Sequence, residues 1–132
     1  MAYATEGALE RNFTKWCMDT YEVYAVKGPA HFAKGFPDRF LQLPNGGGTI
    51  YVEFKGTSYY GLTKMQEWWR DYIKESSPHR YFLVENPEEL EALKEACVIL
   101  CNIGPSLVPY EKELIEAEKN SRKAKFCAII KA

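Results

Sequence analysis

The stretch TIYVEFKG, Thr49 to Gly56, decides how this chain is read. Its β-branched and aromatic residues are those of a strand. Strand side chains alternate faces, so Ile50, Val52 and Phe54 point one way and Tyr51, Glu53 and Lys55 the other. One face is apolar, and the other holds a carboxylate and an ammonium two residues apart. Two readings are open. On an antiparallel strand with one wet face, Glu53 and Lys55 are ordinary solvent-facing residues. In the other reading, the pair serves chemistry.

The residues just before this stretch bear on the choice. DRFLQL, Asp38 to Leu43, reads as a strand, and PNGGG as a hairpin connection. The hairpin pairs the two strands and can bring Asp38 near the C-terminal end of the second, on the face of Glu53. Two carboxylates meeting there repel, and proteins tolerate this poorly without a cation between them. Oxygen-only ligands suit Mg²⁺ or Mn²⁺. A lysine beside them could stabilise a phosphate oxyanion or position a water.

Further out, Glu6 to Thr20 reads as a helix capped by Thr5, with Leu9, Phe13, Trp16 and Cys17 on one stripe. YEVYAVK, Tyr21 to Lys27, alternates like a strand, and GPAHFAKGFP is a loop. A helix is expected from Thr63 to about Glu75, with apolar bulk from Met65, Trp68, Trp69 and Tyr72. Arg80 to Glu85 reads as a fourth strand. A further helix opens at Asn86-Pro87, with Asn86 as cap and Glu89 at the capping-box position, and runs to about Leu100. NIGPSLVP breaks it, a charged helix follows from about Tyr110, and FCAIIKA closes the chain as a possible strand. The order is helix, three strands, helix, strand, helix. This predicts a mixed α/β (α+β) layer with a small sheet, not a doubly wound fold, because a hairpin sits where a crossover helix would be needed.

At 132 residues, 46% apolar and 27% charged, the chain has the composition of one soluble globular domain. No apolar run approaches the ~20 residues of a membrane span. The N-terminus lacks a basic start followed by an apolar stretch, so a cytoplasmic or host-cell interior location is expected, with no membrane partner. Cys17, Cys97, Cys101 and Cys127 form no CxxC pair and read as reduced core thiols. His31 and His79 fall in loops and match no metal-ligand spacing. The net charge of −1 argues against an overall basic DNA coat, but the charge is polarised. Residues 1–26 sum to −2, 27–80 to +3, 86–118 to −6 and 119–132 to +5. Such asymmetry permits a polyanion partner.

Pro37-Asp38, fourteen residues, then Glu53-Phe54-Lys55 matches the PD-(D/E)xK nuclease signature. With KGFPDRF, GGGTIYVEFKG, LTKMQEWWRDY, YFLVENPEEL and the N-terminal EGALERNF around it, the sequence closely resembles the VRR-NUC branch of that superfamily. The resemblance covers about residues 6–95 and implies an αβββαβ core within a single domain of residues 1–132. A C-terminal helical extension and basic tail would occupy about 96–132. It implies a divalent-metal-dependent deoxyribonuclease using Mg²⁺ or Mn²⁺, with no organic cofactor. Asp38 and Glu53 would be metal ligands, with the backbone carbonyl of Phe54 completing the protein share. Lys55 would be the catalytic lysine, Gln66 the glutamine that helps hold the site, and Glu6 the acid bonded to metal waters. Lys27 would face the phosphate backbone, with Lys34, Arg39 and Lys64 as further DNA contacts. Stand-alone proteins of this branch and size resemble phage-encoded homodimers acting on branched DNA, such as Holliday junctions or flaps. Alternatives are a sequence-specific or nicking endonuclease on linear duplex, and a catalytically weak DNA-binding module.

Several residues carry a second reading. Gln66 is the third residue after Thr63, so TKMQ is also a capping box. Glu6 near a helix N-terminus is favoured by the helix dipole alone. Glu10, one turn on, is the rival first-helix acid. Trp68 and Trp69 read as core and interface aromatics rather than a base-stacking platform. The PNGGG glycines read as a plain hairpin rather than a phosphate cradle.

Overall fold

The computed structural model describes residues 5–29, 31–56 and 61–103. Thr5 caps the first helix, its Oγ1 accepting the Ala8 N–H at 3.1 Å. Helix α1, Glu6–Tyr21, then buries Leu9, Phe13 and Cys17 along one stripe, with Trp16 half-buried beside them. The expected strand from Tyr21 shrinks to β1, Val26–Lys27. The reason lies at Glu22, which adopts the left-handed conformation at φ 56°. The N–H groups of Glu22 and Val23 turn back onto the Met18 and Cys17 carbonyls, so the chain closes the helix before it can extend.

Strand β2, Arg39–Leu43, and β3, Gly48–Phe54, form the hairpin. Its turn is closed by the Gly47 N–H donating to the Pro44 carbonyl at 3.0 Å, with positive φ at Asn45 and Gly46. This is the primed turn geometry that matches strand twist. Helix α2, Lys64–Ser76, crosses over to β4, Tyr81–Val84, which pairs with β3 in parallel. Helix α3, Pro87–Ile103, follows. The four strands run β1-β2-β3-β4 in one mixed sheet. The fold is mixed α+β, with three helices around that sheet among the described residues.

The Asn86 side chain caps α3 by accepting the Glu89 N–H at 2.8 Å, while the Glu89 carboxylate reaches back to the Glu85 N–H at 2.8 Å. Helix α3 runs three residues past the expected end at Leu100. The rest of the expected break, the charged helix from Tyr110 and the closing strand lie outside the described residues.

One face of the sheet supplies Leu41, Leu43, Ile50, Val52 and Phe54 to a core shared with α1 and with Leu90, Leu93, Cys97 and Cys101 of α3. The three described cysteines, Cys17, Cys97 and Cys101, are free and buried. Burial raises the Cys17 and Cys97 thiols to about 12, which suppresses the reactive thiolate. The opposite face carries an aromatic layer. Phe40 stacks on Tyr51, and Phe36 meets both of them and Trp69 edge-on. Helix α2 departs from the expected apolar bulk: Ile73 is its buried residue, while Met65, Trp68 and Tyr72 are exposed. Among the described residues, no helix is long and apolar enough to cross a membrane.

Candidate functional site

The hairpin register pairs Arg39 with Val52, which sets the preceding Asp38 opposite Glu53. Because both strands alternate, the two carboxylates share the face of Phe40 and Tyr51. Asp38 is fixed twice. Its Oδ2 accepts the Phe54 N–H at 2.8 Å, and its backbone carbonyl accepts the Gly28 N–H at 2.8 Å. Glu6, in the first turn of α1, completes the group. One carboxylate oxygen each from Glu6, Asp38 and Glu53 lies within 4.8 Å of the others.

Glu53 is 2% exposed, which overturns the solvent-facing reading of its strand face. Burial raises its carboxyl to about 9, and the neighbouring Asp38 adds to the shift. The Glu6 carboxyl is also raised, by burial and then by Asp38. The Lys55 ammonium opposes this repulsion, its Nζ 3.8 Å from Glu53 Oε2. That side chain is itself largely withdrawn from water, at 15% exposure.

Gln66 serves both readings of the sequence. The Thr63 Oγ1 accepts the Gln66 N–H at 3.2 Å, and Gln66 Oε1 accepts the Thr63 N–H at 2.9 Å, closing the capping box. The other end of the same amide, Nε2, lies 3.4 Å from Glu53 Oε2. The capping box therefore aims a donor at the buried carboxylate.

The first turn of α2 is held against the segment that leads to Asp38. Trp69 Nε1 donates to the Lys34 carbonyl at 3.1 Å. Gly35, at φ +85°, lets the backbones approach closely: a Cβ there would sit 2.6 Å from the Met65 carbonyl carbon. Neither contact was legible in the sequence, although a glycine one residue before Phe36-Pro37 marks a backbone with special needs.

Glu10 and Arg39 have their own arrangement. Arg39 Nε donates to Glu10 Oε2 at 2.7 Å, and Nη1 donates to the Ala25 carbonyl at 2.9 Å. Glu6 rather than Glu10 thus joins the carboxylate group. Arg39, expected at phosphate, has its guanidinium committed inside the protein, tying α1 to β2. Lys27, Lys34 and Lys64 are exposed, as are His31 and His79. Trp69 is half-buried against Phe36, whereas Trp68 is exposed and stacks on Tyr72 with an interplanar angle of 5°.

Three carboxylates, an ammonium and an amide converging at one end of β3 form a donor set of hard oxygens with one balancing cation. Such a set can hold a small divalent ion and present positive charge beside it. No family model matches the chain, and no curated protein matches its sequence.

Proposed function

We propose that the protein is a divalent-metal-dependent DNA endonuclease with a PD-(D/E)xK core of the VRR-NUC type, hydrolysing phosphodiester bonds in branched DNA. The observation that carries this reading is the carboxylate group of Glu6, Asp38 and Glu53 with Lys55 Nζ 3.8 Å from Glu53. The element order from α1 to β4 agrees with the αβββαβ core expected from the resemblance.

The residues suit Mg²⁺ or Mn²⁺. Every carboxylate offered is a hard oxygen donor, and Glu53 is buried beside like charges that Lys55 offsets only in part and a bound cation would relieve further. Asp38 and Glu53 would hold the ion, with the Phe54 carbonyl beside them and Glu6 acting through water. The ion, when bound, supplies Lewis-acid polarisation of the phosphoryl oxygen and an ionised water. The chain does the rest. Gln66 orients the Glu53 carboxylate, and Lys55 sets positive charge where negative charge grows on the phosphate. A water oxygen adds to phosphorus, one bridging P–O bond breaks, and a proton passes to the departing alkoxide. The exposed Lys27, Lys34 and Lys64 would hold phosphates by charge alone, making binding salt-dependent.

The protein acts as a homodimer in this reading, since two active sites suit paired cuts across a junction. Its support is exposed apolar surface: Val98 and Ile99 on α3, and Trp68 and Tyr72 on α2. It would work in the cytoplasm of a bacterial host. Light scattering across micromolar concentrations tests the dimer; a monomer mass throughout refutes it.

Labelled linear, flap and four-way DNA, each with Mg²⁺, Mn²⁺ or excess chelator, tests the activity. Cleavage is expected only with metal, and faster on branched substrates. Full activity in chelator would sink the metal reading. Cutting at one fixed sequence in linear duplex would replace the substrate class.

A further inference from the structure

Phe32 is 95% exposed, the most exposed large apolar side chain among the described residues. Single apolar side chains on a surface are ordinary. Three observations set this one apart.

The segment that presents it is built. The Phe32 and Ala33 N–H groups donate to the Pro29 carbonyl at 3.0 and 2.8 Å, and the Phe36 N–H donates to Ala33 at 2.9 Å. Trp69 grips the Lys34 carbonyl, and Phe36 packs on the Trp69 ring with centroids 4.9 Å apart. The phenyl ring is thus held out by hydrogen-bonded backbone.

The stretch that carries it is basic. Between Glu22 and Asp38 the chain carries Lys27 and Lys34 and no acid. Both lysines are exposed, so this stretch offers a phosphate backbone complementary charge.

Its reach is bounded. Asp38 lies six positions after Phe32, so their Cα atoms are at most about 22 Å apart at ~3.3–3.6 Å per residue. That corresponds to about six nucleotides at ~3.4 Å per step along one strand.

We propose that Phe32 is a wedge that stacks against bases at an unpaired or broken step of branched DNA, and so selects the substrate of the adjacent carboxylate site. The proposal rests on the endonuclease reading above. An aromatic wedge must unstack the bases it enters, and this costs least where the stack is already interrupted. Phosphate contacts from Lys27 and Lys34 favour branched and continuous DNA alike. The ring adds affinity only at the branch and sets the cut within about six nucleotides of it.

The test uses the full-length chain with Ca²⁺ in place of Mg²⁺. Affinities for a four-way junction carrying 2-aminopurine at the branch, and for linear duplex of the same sequence, are measured by anisotropy. Phe32→Ala should weaken junction binding about tenfold to a hundredfold, the worth of one base–aromatic stack, and leave duplex binding within about twofold. Phe32→Trp should restore junction binding, and the 2-aminopurine signal should change with wild type but not with Phe32→Ala. The ring buries nothing, so the melting temperature should not move. Equal losses on both substrates, or unchanged junction binding, overturn the wedge. A junction loss accompanied by a fall from dimer to monomer mass assigns Phe32 to contact between copies and also overturns it. Wild-type protein that binds and cuts no DNA removes the endonuclease reading itself. Wild-type cleavage with unchanged Phe32→Ala binding removes the wedge alone.

Discussion

Gln66 Nε2 lies 3.4 Å from Glu53 Oε2, while the Oε1 of the same amide accepts the Thr63 N–H at 2.9 Å. One side chain therefore closes a helix and orients a buried carboxylate. The two roles separate by substitution. Thr63→Ala removes a cap worth about 1 kcal/mol but keeps the amide donor near Glu53. Gln66→Ala keeps its backbone N–H on Thr63 Oγ1 but loses both the bond from the Thr63 N–H and the donor facing Glu53. Both variants should melt at similarly lowered temperatures. Only Gln66→Ala should also weaken Mn²⁺ binding, by about tenfold or more, as expected for a residue that orients a ligand. Calorimetric titration with Mn²⁺ alone decides this. Equal affinities for the two variants would leave Gln66 a helix cap and nothing else.

Gly35 joins the loop bearing Phe32 and Asp38 to the first turn of α2. Its φ of +85° disfavours any side chain, and a Cβ would sit 2.7 Å from that of Met65. Gly35→Ala should destabilise by about 2–5 kcal/mol, combining ~1–2 for left-handed backbone with ~1–3 for overpacking. Denaturant unfolding measures it. A loss below about 1 kcal/mol would show that the loop and α2 part easily.

The sequence and the structure agree where the rules are local. Period-two alternation in TIYVEFKG and the PNGGG turn sufficed to set Asp38 opposite Glu53, because a hairpin's register follows from its turn. Thr5 and Asn86 declared their caps by residue type. Failures arose where distant segments decide. The strand expected from Tyr21 was lost to a left-handed Glu22, a conformation that a non-glycine residue does not advertise. The burial of Glu53 depends on what covers its face, and alternation speaks only of direction. The Arg39–Glu10 contact at 2.7 Å joins β2 to α1, and no local rule announces it. Gln66 was posed as cap or site residue, and only the approach of α2 to β3 lets it touch both.

Burial of Glu53, with Asp38 facing it, predicts an inverted pH dependence for the metal-free protein. The Glu53 carboxyl is raised by burial and by Asp38 from 4.5 to about 9. A group raised on folding contributes stability that is full below its unfolded value and is lost as pH climbs through its folded value. In excess chelator the melting temperature should therefore fall between about pH 5 and pH 9. Glu53→Gln should flatten that slope. Asp38→Asn should raise the metal-free melting temperature above about pH 9, where Glu53 ionises against it, because Asn keeps an oxygen for the Phe54 N–H while removing the facing charge. The same variant should lose metal affinity and cleavage. Thermal scans across pH check the first part, and an Asp38→Asn melting temperature no higher than wild type above about pH 9 would contradict it.

Lys55 separates chemistry from binding. Its Nζ stands 3.8 Å from Glu53 Oε2, close enough to lower the carboxyl that burial raises. Lys55→Ala should thus weaken metal binding modestly at neutral pH, and saturating metal should restore occupancy. It should not restore the rate. An ammonium beside the phosphate matters most as charge develops in the transition state, and one such donor is worth roughly 10²–10³ in rate, or ~2.7–4 kcal/mol. Lys55→Arg should rescue little, because a planar fork does not replace a compact point charge. Were Lys55 simply a surface lysine, Lys55→Ala would change almost nothing. Its low exposure already disfavours that view. Single-turnover cleavage of branched DNA at saturating Mn²⁺, run beside a metal titration and a DNA-binding isotherm, distinguishes the outcomes. Intact binding with cleavage cut a hundredfold or more assigns Lys55 to the reacting phosphate, whereas a near wild-type rate removes it from the mechanism.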